Sequence, residues 1–590
     1  MAGVFKRSHM CGLIDMKNIG ENVILNGWVA KQRRLGGLVF VDLRDKTGIL
    51  QITFDENTPK SVFDEAQDLR GEYVVGIKGT VRERTSKNPD IPTGDVEVAA
   101  TELILYSKSE TPPIYVKDDD NADDNLRLKY RYLDLRKPGM QKNLTFRHKI
   151  AKLTRDYFDE LGFTDVETPI LVRSTPEGAR DYLVPSRVDS GNFYALPQSP
   201  QLFKQLLMVG GTDRYIQIAK CFRDEDLRAD RQPEFTQIDM EMSFVDVDDV
   251  IEIQEGYLKR LFKELMNVDI ETPLPRLSWR EAMERYGSDK PDTRFGFELK
   301  CLNGLDAVKT TDFPVFVNAL KNGGDIRGIC VDGGSASFSR KDIDKLTDAA
   351  KTYGIKGLVW IRVEENEYKS SVNKFLDRGA LEEIADLFNA KPGDLILIAA
   401  DKPKQVFDSL GFLRRHIAGK LGLLDDKKFN LLWVTEFPMF EKDEETGGLK
   451  AVHHPFTHPM SEDMDMSDPD PEKMRADAYD IVLNGVELGG GSIRIHDAGL
   501  QKKMFKLLGI SEKESEQKFG FLLEAFKYGV PPHGGIAYGL DRMVMLLAGE
   551  SSIREVMAFP KNQNAQCMVS DAPNRVDKDQ LNELGLEIKN

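Results

Sequence analysis

A run of charged residues beside an aromatic ring is the part of this chain best suited to bind a nucleotide. Residues 222–235 place three arginines among several carboxylates and end on Phe235. From residue 237 onward, polar and apolar side chains alternate, which predicts a half-buried antiparallel strand with Asp239 and Glu241 on its polar face. Burying carboxylates costs free energy unless a cation or a ligand compensates. A nucleotide site therefore explains this segment better than stability alone.

A second candidate phosphate site follows residue 533. Residues 534–548 predict a glycine-opened strand, a bend at Gly539 and a helix whose first turn holds Arg542. The exposed amides of a helix start, joined by a guanidinium, suit a terminal phosphate of ATP. Glycine strings alone are weak signals, and a salt bridge of Asp541 at the helix start is the alternative explanation.

A third polar strand is predicted over residues 487–496, where three glycines let a ligand approach the backbone closely. Asp480 and Glu487 offer the hard oxygen ligands that Mg²⁺ prefers beside triphosphate oxygens. Arg494 has the geometry to bind a carboxylate through two hydrogen bonds. The alternative is a ladder of surface salt bridges, against which the glycines argue.

Short strands at regular spacing indicate a small β-barrel in the first hundred residues. Phe40 is predicted on the face opposite the barrel core, and Gln51 on the outside of the next strand. With the basic stretch 31–34, these side chains suit single-stranded nucleic acid, through stacking, hydrogen bonds and phosphate contacts. A ring packed against a neighbouring domain, with a solvated basic rim, explains the same residues, and both interpretations stay open. The predicted strands are 23–31, 38–44, 50–55, 72–81 and 95–105.

A zinc site is not expected, although His454 and His458 are four residues apart. Pro455 and Pro459 prevent the helix that would bring the two imidazoles onto one face, and no cysteine lies nearby in sequence.

Composition limits the class of protein. At 590 residues, the chain is expected to hold about three or four domains of roughly 150 residues each. No apolar run is long enough to span a bilayer, and the five scattered cysteines lack a Cys-x-x-Cys pair, which favours a reducing cytoplasm. The net charge of -16 argues against a nonspecific nucleic-acid coat protein. Any polyanion must be bound by a local basic face.

The elements that must position these residues form an α+β multidomain protein. A segment with its own predicted helices and strands separates two groups of candidate site residues, so we expect an insertion to split one catalytic core. The predicted segments are a barrel at 1–112, a linker at 113–140, a first catalytic part at 141–294, the insertion at 295–422, a second catalytic part at 423–560 and a C-terminal extension at 561–590.

Assembled in this order, the motifs closely resemble those of class II aminoacyl-tRNA synthetases of subclass IIb, and among them the bacterial-type aspartyl-tRNA synthetases. The resemblance covers essentially the whole chain. The three class motifs fall at 147–171, 222–235 and 534–542, with the accompanying segments 198–205 and 489–494 between them. It implies an N-terminal OB-fold that binds the anticodon, an antiparallel catalytic sheet with helices, and an inserted α/β (GAD-like) domain.

The resemblance also implies how ATP is bound. Arg223 would hold the α-phosphate, Phe235 would stack on adenine and Arg542 would meet the γ-phosphate. Asp480 and Glu487 would organise magnesium, and Glu487 would join both arginines in catalysis. Further ATP contacts are implied at Glu225, Arg231, Gln232, Gly539, Leu540 and Asp541.

An aspartate pocket is implied beside the nucleotide. Glu177, on a glycine-containing loop expected to act as a lid, and Gln201 would contact the ammonium group. A pocket that contains Lys204 and Arg494 selects a carboxylate, because the amide of asparagine would leave both cations unpaired. Gln237, Asp239 and His453 complete the implied pocket.

The implied activity is that of an aspartate–tRNA ligase, which forms aspartyl-adenylate from L-aspartate and ATP and then transfers the aspartyl group to the 3′ end of tRNA(Asp). Arg33, Phe40 and Gln51 match the family's anticodon-reading positions. The family further implies a cytoplasmic homodimer without a membrane partner.

Two other functions stay open. A nondiscriminating enzyme would also charge tRNA(Asn), although Leu35 and Lys87 lean towards the discriminating type. A noncatalytic, synthetase-like tRNA-binding protein is less favoured, because such proteins lose motif residues and none is missing from this sequence.

Overall fold

The computed structural model describes residues 3–175, 179–443, 447–464, 466 and 470–589. The chain forms two compact units, each built from separate stretches of sequence. The first unit contains residues 1–149, 226–233 and 544–582, and the second contains 150–225, 234–543 and 583–590. No described helix is long and apolar enough to cross a membrane.

The strands, in chain order, are β1 Asn22–Leu35, β2 Leu38–Asp45, β3 Gly48–Phe54, β4 Val74–Glu83, β5 Val96–Ser107, β6 Thr164–Asp165, β7 Leu183–Pro185, β8 Phe193–Ala195, β9 Arg214–Phe222, β10 Glu234–Ser243, β11 Arg276–Ser278, β12 Lys300–Cys301, β13 Asp325–Val331, β14 Val359–Val363, β15 Tyr368–Ser370, β16 Leu395–Asp401, β17 Leu431–Thr435, β18 Phe440–Lys442, β19 Leu449–Ala451, β20 Ala478–Leu483, β21 Val486–Ile493 and β22 His533–Gly539. The helices are α1 Lys60–Gln67, α2 Asp124–Lys129, α3 Arg131–Asp134, α4 Pro138–Glu160, α5 Gln201–Val209, α6 Val247–Leu261, α7 Trp279–Tyr286, α8 Asp306–Lys309, α9 Pro314–Lys321, α10 Gly334–Ser337, α11 Arg340–Lys351, α12 Arg378–Phe388, α13 Pro403–Lys420, α14 Ala498–Leu507, α15 Glu512–Ala525, α16 Leu540–Ala548 and α17 Lys578–Glu583.

The first unit holds a closed five-stranded barrel in the order β1-β2-β3-β5-β4. Only β3 and β5 pair in parallel, and alternate apolar residues of each strand fill the interior, as the sequence predicts. Gln51 was expected outside, yet Gln51 and its neighbour Thr53 are 5% and 2% exposed. The reason is Glu97 on β5, whose carboxylate accepts hydrogen bonds from both side chains at 2.7 and 2.8 Å.

The second unit is organised around an eight-stranded sheet in the order β11-β17-β20-β21-β22-β10-β9-β6. It is antiparallel except at its two outermost pairs, β11–β17 and β6–β9. Strand β10 lies in the interior of the sheet, and its polar residues Asp239 and Glu241 are as buried as its apolar ones. The predicted half-buried strand is therefore buried on both faces. Strand β6 ends at Asp165, and Pro169, four residues later, cannot donate to a sheet ladder.

A five-stranded sheet in the order β12-β13-β16-β14-β15 lies within the predicted insertion. All of its pairs are antiparallel, so the arrangement is α+β where we expected α/β. Helices pack apolar cores on both of its faces. In sequence this region separates β11 from β17, which are neighbours in the large sheet.

Candidate active site

Arg223 and Phe235 are side by side because antiparallel pairing joins the end of β9 to the start of β10. The guanidinium carbon of Arg223 lies 5.2 Å from the centre of the Phe235 ring. The Nε atom of Arg223 is buried and makes no hydrogen bond within the described part of the chain. A guanidinium over an aromatic face, with an Nε–H that no described residue accepts from, suits a phosphate next to a stacked base.

The predicted strand, bend and helix after residue 533 are confirmed as β22 and α16, which meet at Gly539 and Leu540. Arg542, in the first turn of α16, donates to the backbone oxygen of Glu487 at 3.0 Å. Asp541 is buried, and its carboxylate accepts a hydrogen bond from the Thr236 backbone nitrogen at 2.7 Å. Asp541 thus fixes the helix start to β10.

Asp480 and Glu487 lie on the paired strands β20 and β21. Asp480 faces Gly490, where an added Cβ would come within 2.3 Å of the Asp480 carboxylate, so only glycine leaves room for that side chain. Burial and the neighbouring Glu487 raise the pKa of Asp480 well above its ordinary value. Two carboxylates that repel each other on half-buried positions form a donor set that suits a divalent cation.

Four ionisable side chains form a buried network between helix α5 and the sheet. The Lys204 Nζ atom lies 2.7 Å from Asp239 and 3.1 Å from Glu241. Arg494 donates to Glu241 through Nε at 2.8 Å and Nη2 at 3.1 Å. Burial alone would raise the pKa of Glu241, but the nearby Arg494 and Lys204 hold this pKa at about 2. Burial raises the pKa of Asp239, against the opposing effect of Lys204.

Glu241 was predicted beside Asp239 on the polar face of its strand but was given no role in the site. The two-bond contact expected between Arg494 and a substrate carboxylate is made with Glu241, and Nη1 of Arg494 donates to His454 and Ser492 instead. Gly535 makes room for Glu241, because an added Cβ would lie 2.1 Å from its carboxylate. The available signal was the alternation of β10, which places Glu241 on the same face as Asp239.

Two predicted contacts of the amino acid present buried polar atoms without partners. Nε2 of Gln201 and Nε2 of His453 make no hydrogen bond to any described residue, and unpaired buried groups of this kind indicate a ligand. Burial and the nearby Arg494 lower the pKa of His453 to about 4, so its imidazole is neutral at pH 7. Gln237 accepts a hydrogen bond from Cys221 at 3.3 Å. Glu177 lies outside the described residues.

The remaining predicted ATP contacts lie on or beside the segment Asp226–Pro233, which belongs to the first unit and is called the motif 2 loop below. Both ends of the Gln232 amide bind the Lys561 backbone, with Nε2 donating at 3.1 Å and Oε1 accepting at 2.7 Å. The ATP contact of Gln232 stays a prediction. Arg231 is exposed and Glu225, just before the loop, is half-buried.

In the barrel, the three predicted anticodon residues lie together. Arg33 donates to Gln51 at 3.1 Å and lies 6.0 Å from the centre of the Phe40 ring. Leu35, at the end of β1, is 70% exposed. Lys87 forms ion pairs with Glu83 and Asp95 on the surface of the barrel.

Two family models match the sequence of this chain. Residues 23–106 match the OB-fold nucleic acid binding domain, and residues 123–563 match the tRNA synthetases of class II (D, K and N). The chain belongs to the class II tRNA synthetases. The resemblance inferred from the three motifs is thereby confirmed.

Individual relatives of this class II synthetase extend over its full length. It is 58% identical to the aspartate–tRNA ligase of Ruminiclostridium cellulolyticum, over 99% of this chain and 98% of the relative. It is 56% identical to the aspartate–tRNA(Asp/Asn) ligase of Caldanaerobacter subterraneus, over 99% of both chains. The asparaginyl-tRNA synthetase of Pyrococcus horikoshii, solved with asparaginyl-adenylate, matches with a TM-score of 0.58 at 19% identity, over 94% of this chain and 98% of that one. The last comparison supports the fold alone.

The two histidines considered for zinc bind different partners in this synthetase. His454 accepts from Arg494 at 2.7 Å, and burial lowers the pKa of its imidazole well below the usual value. His458 lies 3.2 Å from Asp477. His454 thus supports the buried network around Arg494.

Proposed function

We propose that this class II synthetase is an aspartate–tRNA ligase, which activates L-aspartate with ATP and transfers it to tRNA(Asp) as a cytoplasmic homodimer. The observation that carries the proposal is the pair of buried cations, Lys204 and Arg494, beside strand β10, which has Phe235 near its start. Asp239, which binds Lys204, is four residues along β10 from Phe235, or about 13 Å at the rise of a strand. This spacing suits an adenylate with adenine at one end and an amino acid at the other.

In the proposed first step, the α-carboxylate of aspartate attacks the α-phosphorus of ATP and pyrophosphate leaves. The protein supplies no nucleophile, so its contribution is to position the reactants and to neutralise charge. Arg223 contacts the α-phosphate, Phe235 stacks on adenine and Arg542 contacts the γ-phosphate. Asp480 and Glu487 would hold magnesium, which would neutralise charge on the triphosphate when bound.

The two cations of the buried network support selection of a carboxylate. Arg494 and Lys204 hold the pKa of Glu241 at about 2, so Glu241 stays ionised, whereas burial raises the pKa of Asp239. A substrate carboxylate would accept charge-assisted hydrogen bonds from Lys204 and Arg494 that the neutral amide of asparagine cannot match. Nη1 of Arg494, which now contacts His454 and Ser492, is the donor placed to exchange partners with the substrate.

Purified tRNAs test the proposal directly. We expect labelled aspartate to be attached to tRNA(Asp), with little incorporation from labelled asparagine. Failure to charge any aspartate-accepting tRNA, despite binding of ATP, would overturn it.

A nondiscriminating ligase is the second candidate, and the C. subterraneus relative, named for both tRNA(Asp) and tRNA(Asn), is the observation that favours it. Equal charging of tRNA(Asp) and tRNA(Asn) with aspartate would establish this candidate. Exposed Leu35 and Lys87 are the barrel positions at which substitutions are expected to shift the ratio.

Phe40→Ala tests the role of the barrel. Loss of one stacking ring is expected to weaken tRNA binding by about 1–3 kcal/mol, which lowers charging efficiency at limiting tRNA roughly 5- to 150-fold. ATP–pyrophosphate exchange measured without tRNA should stay within twofold of wild type. Phe5→Ala removes a half-buried ring elsewhere on the barrel and serves as the control. Equal damage to exchange and charging would contradict an anticodon role.

A further inference from the structure

A buried charge cluster anchors the linker helices that follow the barrel in the first unit. Asp134 is 0% exposed and binds three cations: Arg127 at 3.0 Å, Arg131 at 2.6 Å and Lys137 at 2.9 Å. Arg127 also binds Glu555 at 2.8 Å. Removing one partner of a buried ion pair is costly, so this cluster fixes the linker helices firmly.

Arg131 connects this cluster to a distant part of the sequence. It is 1% exposed, and its guanidinium donates to the backbone oxygens of Met557 at 2.8 Å and Ala558 at 3.0 Å, and also to that of Arg554. Residues 552–561, which follow helix α16, are called the strap. One arginine of the linker therefore binds three carbonyls in the middle of the strap.

The two ends of the strap bind the motif 2 loop. At one end, the Ile553 nitrogen and the Ser552 hydroxyl donate to the Ala229 backbone oxygen at 3.1 and 3.2 Å. At the other end, the Lys561 backbone makes two hydrogen bonds with the Gln232 amide. The strap thus binds the loop at Ala229 and Gln232, and Arg131 in turn binds the strap.

We infer that Arg131 and the strap fix the conformation of the motif 2 loop, which continues along the chain into Arg223 on one side and Phe235 on the other. The inference rests on the proposed function, because its consequence runs through Arg223 and Phe235. The loop lies between these residues in sequence, with Arg223 three residues before its start and Phe235 two residues after its end. Arg131 and the strap side chains are not among the groups proposed to contact the substrates. Any effect that they have on the reaction is therefore transmitted by the loop.

A double-mutant cycle tests this coupling. Arg131→Lys keeps the charge but loses the planar fork, and Gln232→Glu replaces the amide donor with a carboxylate facing the Lys561 oxygen. Each change is expected to raise the KM for ATP about fivefold in ATP–pyrophosphate exchange, the effect of one lost hydrogen bond, with kcat and the KM for aspartate within twofold. If both act through the strap, the double variant is no worse than the poorer single variant. If the two changes raise the KM for ATP by factors that multiply in the double variant, or if the single variants leave this KM unchanged, the inference is overturned.

Arg136→Lys is the matched control, because Arg136 lies on the same linker but binds Glu72 and the ring of Trp28. If Arg131→Lys does not fold, Ser552→Ala takes its place in the cycle, since it deletes only one hydroxyl of the strap. Hydrogen exchange without substrates gives a readout apart from activity: the amides of 226–232 should exchange faster in Arg131→Lys or Ser552→Ala than in wild type. Unchanged hydrogen exchange would also overturn the inference.

The two hypotheses can fail separately. If the wild-type enzyme shows no aspartate-dependent exchange of pyrophosphate into ATP, the proposed function is wrong. Hydrogen exchange of the loop amides still tests whether Arg131 and the strap hold the loop.

Discussion

Replacing Arg223 with alanine is expected to lower aspartate-dependent ATP–pyrophosphate exchange by about 10²- to 10³-fold, the loss typical of removing one aimed charge from a transition state. Arg223 lies over Phe235, its buried Nε makes no hydrogen bond within the described part of the chain, and it forms no ion pair with a described carboxylate. The variant should therefore unfold at nearly the wild-type temperature. The measurement is steady-state exchange at saturating ATP and aspartate, with thermal unfolding followed in parallel.

Lys220→Ala is the control for this experiment. Lys220 is exposed near the end of β9, three residues before Arg223. Its removal changes the local charge by the same amount without touching the predicted α-phosphate contact. Exchange within tenfold of wild type in Arg223→Ala would refute the assigned role.

The second large effect is expected from Glu241→Gln. This change leaves Arg494 buried and without its two-bond partner, and breaking a buried ion pair in this way typically costs about 3–5 kcal/mol. The KM for aspartate should rise as well, because Arg494 and Lys204 lose the carboxylate that orients both. Chemical denaturation and the dependence of exchange on aspartate concentration measure the two effects.

The stability that Glu241 contributes depends on pH with a defined sign. Its pKa is lowered from 4.5 to about 2 in the folded state, so the contribution is fully present above about pH 4.5 and is lost as the pH falls towards 2. The difference in stability between wild type and Glu241→Gln should shrink over the same window. Glu264→Gln, which removes an exposed partner of Arg260, should cost less than about 1 kcal/mol. Similar losses in both variants would show that the buried network does not stabilise the fold.

Local pattern was enough to predict much of this architecture. The alternation of β10 and the glycines before Arg542 fix a strand and a helix start by backbone geometry within a few residues, and both are found where expected. The contact between Arg223 and Phe235 was not predicted, although both residues flank one connection between paired strands. Three such motifs in order were sufficient to indicate the family.

Contacts between distant segments could not be predicted in the same way. Gln51 was expected outside, but Glu97, 46 residues later, covers it. Glu241 was not placed in the site because its partner, Arg494, is 253 residues away. Gln232 was expected to face ATP, and nothing near it in sequence indicates that the Lys561 backbone binds its amide. Periodicity reports which face a residue lies on, and it carries no information about which segment covers that face.

The order of strands in the large sheet has a consequence for synthesis on the ribosome. Strand β10 pairs with β22, and the hydrogen bond from Thr236 to Asp541 joins residues 305 positions apart. At about 5–20 residues per second, translation supplies β22 roughly 15–60 s after β10. During that interval one edge of β10 has no native partner and Glu241 has no Arg494, and unpaired strand edges promote association between chains. The growing chain thus passes through a period in which it has neither its native sheet nor a complete nucleotide site, when binding by a chaperone would be of most use.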